Sequence, residues 1–539
     1  MYPIYTFSNP IYTCRERSIE TQGNFSSKSK MTQGNFIIPK TLAMLCLASI
    51  VVLTQGQITP PPPENIAKNL QTDPETLSQA SIDYGHIAHA NASAVFEPAS
   101  VNDIIELIKY SNSIEKPFTI AARGQGHSVD GQAMAQNGVV VNMTHLGDFR
   151  NGSGIIVSDQ YVDVGGEQIW IDVLHETLKR GLTPLSWTDY LYLSVGGTLS
   201  NAGISGQTFR FGPQISNVLE LDVVTGKGEL ITCSAGKNSE AFYAVLGGLG
   251  QYGIITRARI ALGLAPSRVK WLRLIYTDFS AFSADQEHLI SLNGTNAADY
   301  VEGLLILNKP PLDLSFFPES DQPRISSLIT KYGIVYTIEL VKYYDPNSQA
   351  KVEEEVANLL KELKFVPTFS FEKDASYEEF LDRVHATELV LRPKGLWEVP
   401  HPWLNLFIPK SRISDFNEGV IKSIILNQNI SAEVFILYPM NRNKWNDNMS
   451  AVIPDEDVFY TVGLLHSTEI DKVGVVKAQN QQILQFFKNA GIQIREYLAP
   501  HKTHEEWVQH FGSKWDLIQK RKDEFDPKKL LSPGQGIFN

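Results

Sequence analysis

Residues Ala121-Ala122-Arg123-Gly124-Gln125-Gly126-His127-Ser128-Val129-Asp130-Gly131 place glycines, a histidine and a serine directly behind the apolar segment Phe118 to Ala122. Glycine at 124 and 126 lets the backbone take positive φ and approach a ligand with no Cβ in the way. Successive N–H groups in such a loop form a concavity for an anion. A pyrophosphate fits it, with the Ser128 hydroxyl as an added donor. An ordinary strand-to-loop turn with an incidental histidine fits the same residues.

Asp189 stands among Trp187, Tyr190, Leu191 and Leu193. A carboxylate in that company is expected to lose part of its hydration and gain basicity, which suits a base acting on a bound amine. A turn or cap aspartate is the plainer alternative. Glu302 is the lone charge in an apolar strand and faces either a pocket or solvent. Trp403 and Asn405 alternate with Leu404 and Leu406, so they share one face of a strand. Gly248-Leu249-Gly250-Gln251-Tyr252-Gly253 matches G-x-G-x-x-G, but a helical pattern precedes it and a strand follows. A dinucleotide site needs the reverse order, so this stretch reads as a helix-to-strand turn. Cys233 ends an apolar strand and reads as a small buried hydrophobe. No residue cluster suggests a metal.

The string Arg123 to Ser128 resembles the flavin-attachment motif of oxidases with the vanillyl-alcohol-oxidase type of FAD domain, most closely that of cytokinin dehydrogenases. The resemblance continues in Trp187 to Leu191, Gly196 to Gly203, Pro400 to Asn405 and Leu531 to Gln535, in order along the chain. It implies FAD attached covalently to His127 through the flavin 8α-methyl group. Around that cofactor it implies Ala122, Gly124, Gln125, Gly126, Ser128, Gln132, Asp189, Ser194, Ser200, Ile204, Ile255, Tyr497, Ser532 and Gln535. Asp189 becomes the base that takes a proton from the substrate nitrogen as hydride leaves for flavin N5. Glu302 becomes the second pocket carboxylate, holding the purine or tuning Asp189. Glu388, Trp403, Asn405, Tyr438 and Leu465 become the substrate pocket.

The substrate implied is an N6-substituted adenine, cleaved through an imine to adenine and an aldehyde, with a quinone-like acceptor or dioxygen taking the electrons. Rival readings are a sugar or alcohol oxidase on the same fold, a berberine-bridge-type oxidase, and a secreted flavoprotein that only sequesters a ligand. The berberine-bridge type usually has a second flavin-linking cysteine, and Cys233 lies in no such motif. Simple sequestration does not need a buried base.

The chain has 539 residues, 43% of them apolar, which describes a well-cored globular protein of two or three domains. A net charge of −12 with no basic arm excludes nucleic acid as an expected partner. A monomer is expected. Lys40 precedes the apolar run Leu42 to Leu53, followed by polar Thr54 to Gln57. That is the pattern of a secretory signal peptide over 31–57 behind an extension over 1–30, with Met31 as an alternative start. The run is too short for a stable membrane anchor, although an uncleaved anchor is the alternative. Sequons at Asn91, Asn142, Asn151, Asn293, Asn429 and Asn448 agree with an exported glycoprotein.

These residues require a scaffold, and the pattern predicts an α+β fold. The resemblance implies a two-part FAD-binding domain, residues 58–265 with segment 491–539 returning to it, and makes the antiparallel-sheet domain inserted over 266–490 the substrate-binding cap. Ser100 caps a helix whose stripe is Ile104, Ile105, Leu107 and Ile108. Residues 217–233 form a hairpin turning at Gly226-Lys227-Gly228. The run Lys520-Arg521-Lys522-Asp523-Glu524 reads as a solvated helix face.

Overall fold

The computed structural model describes residues 61–538 apart from 150–153, 295–296, 310–311, 429, 431–433 and 501–502. The N-terminal extension and signal-peptide pattern lie outside these residues, as do Asn151, Thr295, Asn429 and Ser431 of the sequons. Among the described residues no helix is long and apolar enough to cross a membrane.

Among the described residues three sheets carry the fold. The first runs in the order Leu70–Gln71, Ala94–Phe96, Val139–Asn142, Ile120–Arg123, with the last three strands parallel. Ser100 accepts from the Asp103 N–H and caps the helix Val101–Ser113, which buries Ile104, Leu107 and Ile108 against this sheet. The C-terminal segment comes back to the same sheet. Ile120 N–H donates to Leu530 O, and Ser532 N–H donates to Ile120 O. The turn after Ser532 therefore stands beside the glycine loop, where a Cβ on Gly534 would lie 2.1 Å from Gly131 O.

The second sheet is antiparallel, in the order Ile155–Val157, Tyr161–Gly165, Gly253–Leu264, Val218–Thr225, Leu230–Cys233. Alternation puts Val162, Val164, Leu221, Val223, Ala258 and Ile260 on one core with Trp170 and Trp187. The opposite face carries Arg257, ion-paired with Asp163, Glu220 and Asp222 at 2.6 Å each. Residues 226–229 make the expected hairpin turn, and Gly248 to Gly253 join the helix Ser239–Val245 to the strand Gly253–Leu264. Cys233 is fully buried, and burial pushes its thiol up to about 12. It is no nucleophile.

The third sheet has eight antiparallel strands: Ser370–Ser376, Arg268–Tyr276, Ile334–Tyr344, Tyr300–Leu307, Val434–Asn441, Val458–Leu465, Leu404–Pro409, Arg495–Tyr497. One face packs Leu272, Leu274, Val301, Ile338, Leu406 and Val462 in a core with residues of the helices Phe279–Ser291, Gln349–Glu362 and Val473–Asn489. The other face turns Val269, Tyr300 and Val341 into the core of the second sheet. Because side chains alternate, Glu302 shares the Tyr300 face.

The charge run near the C-terminus is only in part a solvated face: Lys520, Asp523 and Glu524 are exposed, but its two central cations are not. Arg521 and Lys522 are 2% and 1% exposed. They lie in the helix Trp515–Phe525 on the same stripe as Ile518 and Phe525, the spacing of a core-facing surface. Arg521 bonds Glu240 at 2.7 Å and Ser450 Oγ at 3.0 Å, while Lys522 donates to Gln251 O at 2.9 Å and pairs with Asp526 at 2.8 Å.

Candidate active site

Gly126 and Gly131 have φ of +67° and +86°, and a Cβ on Gly124 would lie 2.1 Å from Ser194 Oγ. Among the described residues, the N–H groups of Gly124, Gln125, Gly126, His127 and Ser128 meet no protein acceptor. The next amides are engaged: Val129 and Asp130 donate to Gln132 Oε1, and Gly131 donates to Asp83 Oδ2 at 2.7 Å. Gln132 Nε2 is buried without a partner. A row of open donors, an orphaned buried amide and backbone that admits no Cβ fit a pyrophosphate-bearing cofactor. One expectation fails: the Ser128 hydroxyl donates to Asp83 Oδ2 at 2.7 Å, so its proton serves the protein instead of an anion. Burial pushes Asp83 above the usual carboxylate range.

The remaining cofactor candidates gather round this loop by a chain of contacts. Ala122 lies in the strand Ile120–Arg123 that leads into it. Ser200 O accepts from Leu249 N–H at 2.8 Å, and Ser532 Oγ donates to Gly250 O at 3.0 Å. Gln535 N–H returns to Ser532 O. A Cβ on Gly166 would meet Ile255 O at 2.1 Å. The Tyr497 hydroxyl accepts from Gly203 N–H at 3.3 Å, and Ile204 packs with Tyr497 and Tyr438.

His127 stands at an aromatic end of the site. Its ring stacks on Tyr84 at 4.2 Å and approaches Tyr190 at 4.9 Å. Burial lowers His127 to about 4, so the imidazole is neutral near pH 7. The Tyr190 hydroxyl donates to Glu388 Oε2 at 2.5 Å, and Arg392 Nε bonds Glu388 Oε1 at 2.5 Å. Trp403 sits edge-on to Tyr84. Glu388 and Trp403 thus collect around this end.

The acid end is built by four elements. Asp189 lies between the strand Leu182–Pro184 and the helix Val195–Asn201. Tyr300 and Glu302 come from one strand of the third sheet, Glu339 from the next, and Arg383 from the start of the helix Arg383–Leu391. Asp189 Oδ1 accepts from the Tyr300 hydroxyl at 3.0 Å and from Arg383 Nη2 at 2.9 Å. Oδ2 has no protein partner among the described residues. Arg383 also reaches Glu302 at 3.8 Å and Glu339 at 3.7 Å, and Arg273 pairs with Glu339 at 2.9 Å. Glu302 is 3% exposed, and its Oε1 has no partner. Burial, then the charge of Asp189, raises its carboxyl well above the usual range. A proton on Glu302 leaves Asp189 and Glu339 balanced by Arg273 and Arg383. Tyr438 is buried within reach of the same charges, and Asn405 Oδ1 and Leu465 both border the space over Gly463.

Asp189 has a cation within the apolar company expected of it. Its side chain is 27% exposed and paired with a guanidinium. Arg383 lies 194 positions along the chain, and nothing in the neighbours of Asp189 announces it. Glu339 and the buttress Asp83-Tyr84-Gly85 were likewise missed. The string Asp83-Tyr84-Gly85-His86 was the available signal for that buttress, since polar, aromatic and glycine residues cluster there as they do in the loop it supports.

A cofactor cradle in one half of the chain and a carboxylate set gathered on Arg383 beside a large antiparallel sheet define a class. Residues 92–234 match the family model described as "FAD binding domain", and residues 266–538 match the one described as "Cytokinin dehydrogenase 1, FAD and cytokinin binding". The fold is α+β, with an FAD-binding domain of the vanillyl-alcohol-oxidase type joined to a cytokinin-binding domain. The chain is 49% identical over 501 residues to cytokinin dehydrogenase 2 of Arabidopsis thaliana, covering 92% of this chain and 99% of that protein. It is 50% identical over 511 residues to cytokinin dehydrogenase 3 of Arabidopsis thaliana, covering 93% and 97%. Against cytokinin dehydrogenase 1 of Oryza sativa subsp. japonica it is 50% identical over 490 residues, covering 87% and 91%. The chain belongs to the cytokinin dehydrogenase family, whose members are FAD-dependent oxidoreductases.

Proposed function

We propose that this chain is a secreted flavoenzyme that cleaves the N6 side chain of isopentenyladenine-type cytokinins to adenine and an aldehyde. The single observation that carries this reading is Asp189, fixed through Oδ1 by Tyr300 and Arg383 with Oδ2 left open. In this reading residues 58–265 and 491–539 hold the cofactor, and the inserted 266–490 shapes the pocket.

FAD, when bound, would supply a hydride acceptor for the carbon next to the substrate nitrogen. Asp189 Oδ2 takes the proton from that nitrogen, which raises electron density at the carbon and lowers the cost of hydride loss. Arg383 and Tyr300 keep the carboxylate aimed before the proton arrives. Glu302, carrying its proton, offers a donor to the purine instead of a second negative charge beside the base. Tyr438, Asn405 and Leu465 form the wall, and the resulting imine is hydrolysed to the products. His127 would hold FAD covalently, and Gly124 to Ser128 with Gln132 would hold its pyrophosphate. A quinone-like acceptor or dioxygen is the electron acceptor this reading expects. We take the protein to be a glycosylated monomer with no stable membrane anchor, trimmed near Gln57.

Anaerobic mixing with a substrate panel tests the reading. Isopentenyladenine bleaches the flavin, and a saturated analogue does so more slowly, because an allylic carbon delocalises developing positive charge. Faster reduction by sugars or benzylic alcohols would replace this function with that of a general oxidase.

A further inference from the structure

His127 belongs to a three-layer stack. Tyr84 lies against it with ring centroids 4.2 Å apart and planes 21° apart. His401 lies against the other face of Tyr84 at 4.2 Å and 14°. The backbone keeps these layers in register. Tyr84 N–H donates to Gly126 O at 2.9 Å and Gly85 N–H to Ser128 O at 3.1 Å, so the two neighbours of His127 are both pinned to the segment that carries Tyr84. His401 N–H donates to Gly85 O at 2.8 Å, pinning the third layer to the same segment. Position 85 admits no side chain, since a Cβ there would lie 1.9 Å from Val129 O. His401 is itself fixed: it is buried, with Nε2 3.0 Å from Trp397 O and Nδ1 3.2 Å from Ser467 Oγ.

An imidazole's outer torsion has broad wells, so a histidine ring without neighbours samples many orientations. The His127 ring is confined between Tyr84 and Tyr190 instead. We propose that Tyr84, backed by His401, is a positioning residue for covalent cofactor attachment: its ring, and not its hydroxyl, holds the His127 imidazole in the orientation from which the bond forms. This rests on the reading of His127 as the attachment residue.

In that step an imidazole nitrogen bonds to the 8α-carbon. One C–H of the methyl group breaks, and the imidazole N–H is lost. Both hydrogens leave as protons, and the electron pair passes to the flavin ring system, which also takes up protons. The electron acceptor of turnover, a quinone or dioxygen, then removes that pair. The neutral His127 ring supplies the lone pair without first losing a proton. His401 and Trp397 lie in the part of the chain that carries the third sheet, so attachment also requires that part to be seated on the loop.

The test uses the full chain, purified flavin-depleted and given FAD, with covalent flavin followed over time by acid precipitation and in-gel fluorescence. Bound flavin before precipitation is read from absorbance. Tyr84→Phe keeps the stack and attaches flavin within about twofold of wild type, whereas Tyr84→Leu still binds FAD but attaches it roughly ten- to a hundredfold more slowly. His401→Leu, which loosens the brace one layer away, falls between them. Attachment by Tyr84→Leu at the wild-type rate would overturn the proposal, and so would Tyr84→Phe as slow as the leucine variant, since the hydroxyl would then be the acting group. If Tyr84→Leu fails to bind any flavin, His401→Leu decides, and a wild-type rate there overturns the proposal. Wild-type protein that never links its flavin removes the attachment reading itself, a different outcome from a brace that makes no difference.

Discussion

Glu302 and Glu339 stand directly opposite one another on neighbouring antiparallel strands, both almost wholly buried. Like charges in that position repel, and burial multiplies the cost. The structure resolves the conflict unevenly. Glu339 pairs with Arg273 at 2.9 Å and lies 3.7 Å from Arg383, while the closest cation to Glu302 is Arg383 at 3.8 Å. Burial and the charge of Asp189 favour the protonated form of Glu302.

Substitution should separate the two. Glu302→Gln mimics a protonated carboxyl and leaves folding stability near wild type, while Glu339→Gln strips buried Arg273 of its partner and costs about 3 kcal/mol. The pH dependence has a definite sign. A carboxyl raised in the folded state holds a proton that the unfolded chain gives up above about 4.5. The stability linked to it is complete below that value and falls as pH rises toward the folded pKa. Glutamine has no such decline, so melting curves should show Glu302→Gln gaining on wild type as pH rises above about 4.5. A constant gap across that range would mean that Glu302 is ionised throughout.

Denaturing the wild-type protein in acid or detergent should leave the flavin attached. His127→Ala should release it while keeping the open amides of Gly124 to Ser128, so cofactor still binds but washes out. Free FAD recovered quantitatively from the denatured wild type would contradict the covalent assignment.

Lys522 joins the C-terminal helix to the turn at Gln251 and to Leu531, and its partner Asp526 accepts from Leu530 and Leu531 N–H at 2.9 and 2.8 Å. Lys522→Met leaves Asp526 as an uncompensated buried charge and should cost about 3 kcal/mol, measured by urea unfolding. Because Leu531 pairs beside Ile120, at the base of the glycine loop, incorporation of FAD should fall in the same variant. Unchanged stability would return this pair to a surface role.

Local periodicity made the strands, the hairpin at Gly226 and the rejection of Gly248 to Gly253 as a dinucleotide site readable before any coordinates. The loop at Arg123 to Ser128 was readable because glycine placement carries its own physical reason. Arg521 and Lys522 were misread because charge was weighed above position, although their spacing from Ile518 and Phe525 already put them on the inner stripe. Arg383 and Glu339 were not readable as parts of the site, and Tyr84 only through the polar, aromatic and glycine cluster Asp83 to His86. Each meets its partners across more than forty positions of chain, and such pairings arise from tertiary packing alone.

The last prediction concerns Asp189. Asp189→Asn preserves shape and can still accept from Tyr300 and Arg383 through its amide oxygen, so folding and covalent flavin should survive. Its NH₂ group then occupies the position of Oδ2 and can no longer take a proton. A positioned base contributes about 10²- to 10⁴-fold, and flavin reduction should slow by that order. The loss should fall on kcat and kcat/KM alike, since the interaction is made mainly in the transition state, while adenine binding weakens only modestly. Wild-type kcat/KM should also decline as the medium is made acidic, and that decline should flatten in the variant. Anaerobic stopped-flow reduction by isopentenyladenine across pH makes the measurement. A variant that reduces its flavin within a few-fold of wild type would leave Asp189 only as the anchor for Arg383 and Tyr300, and the proton would have to leave by another group.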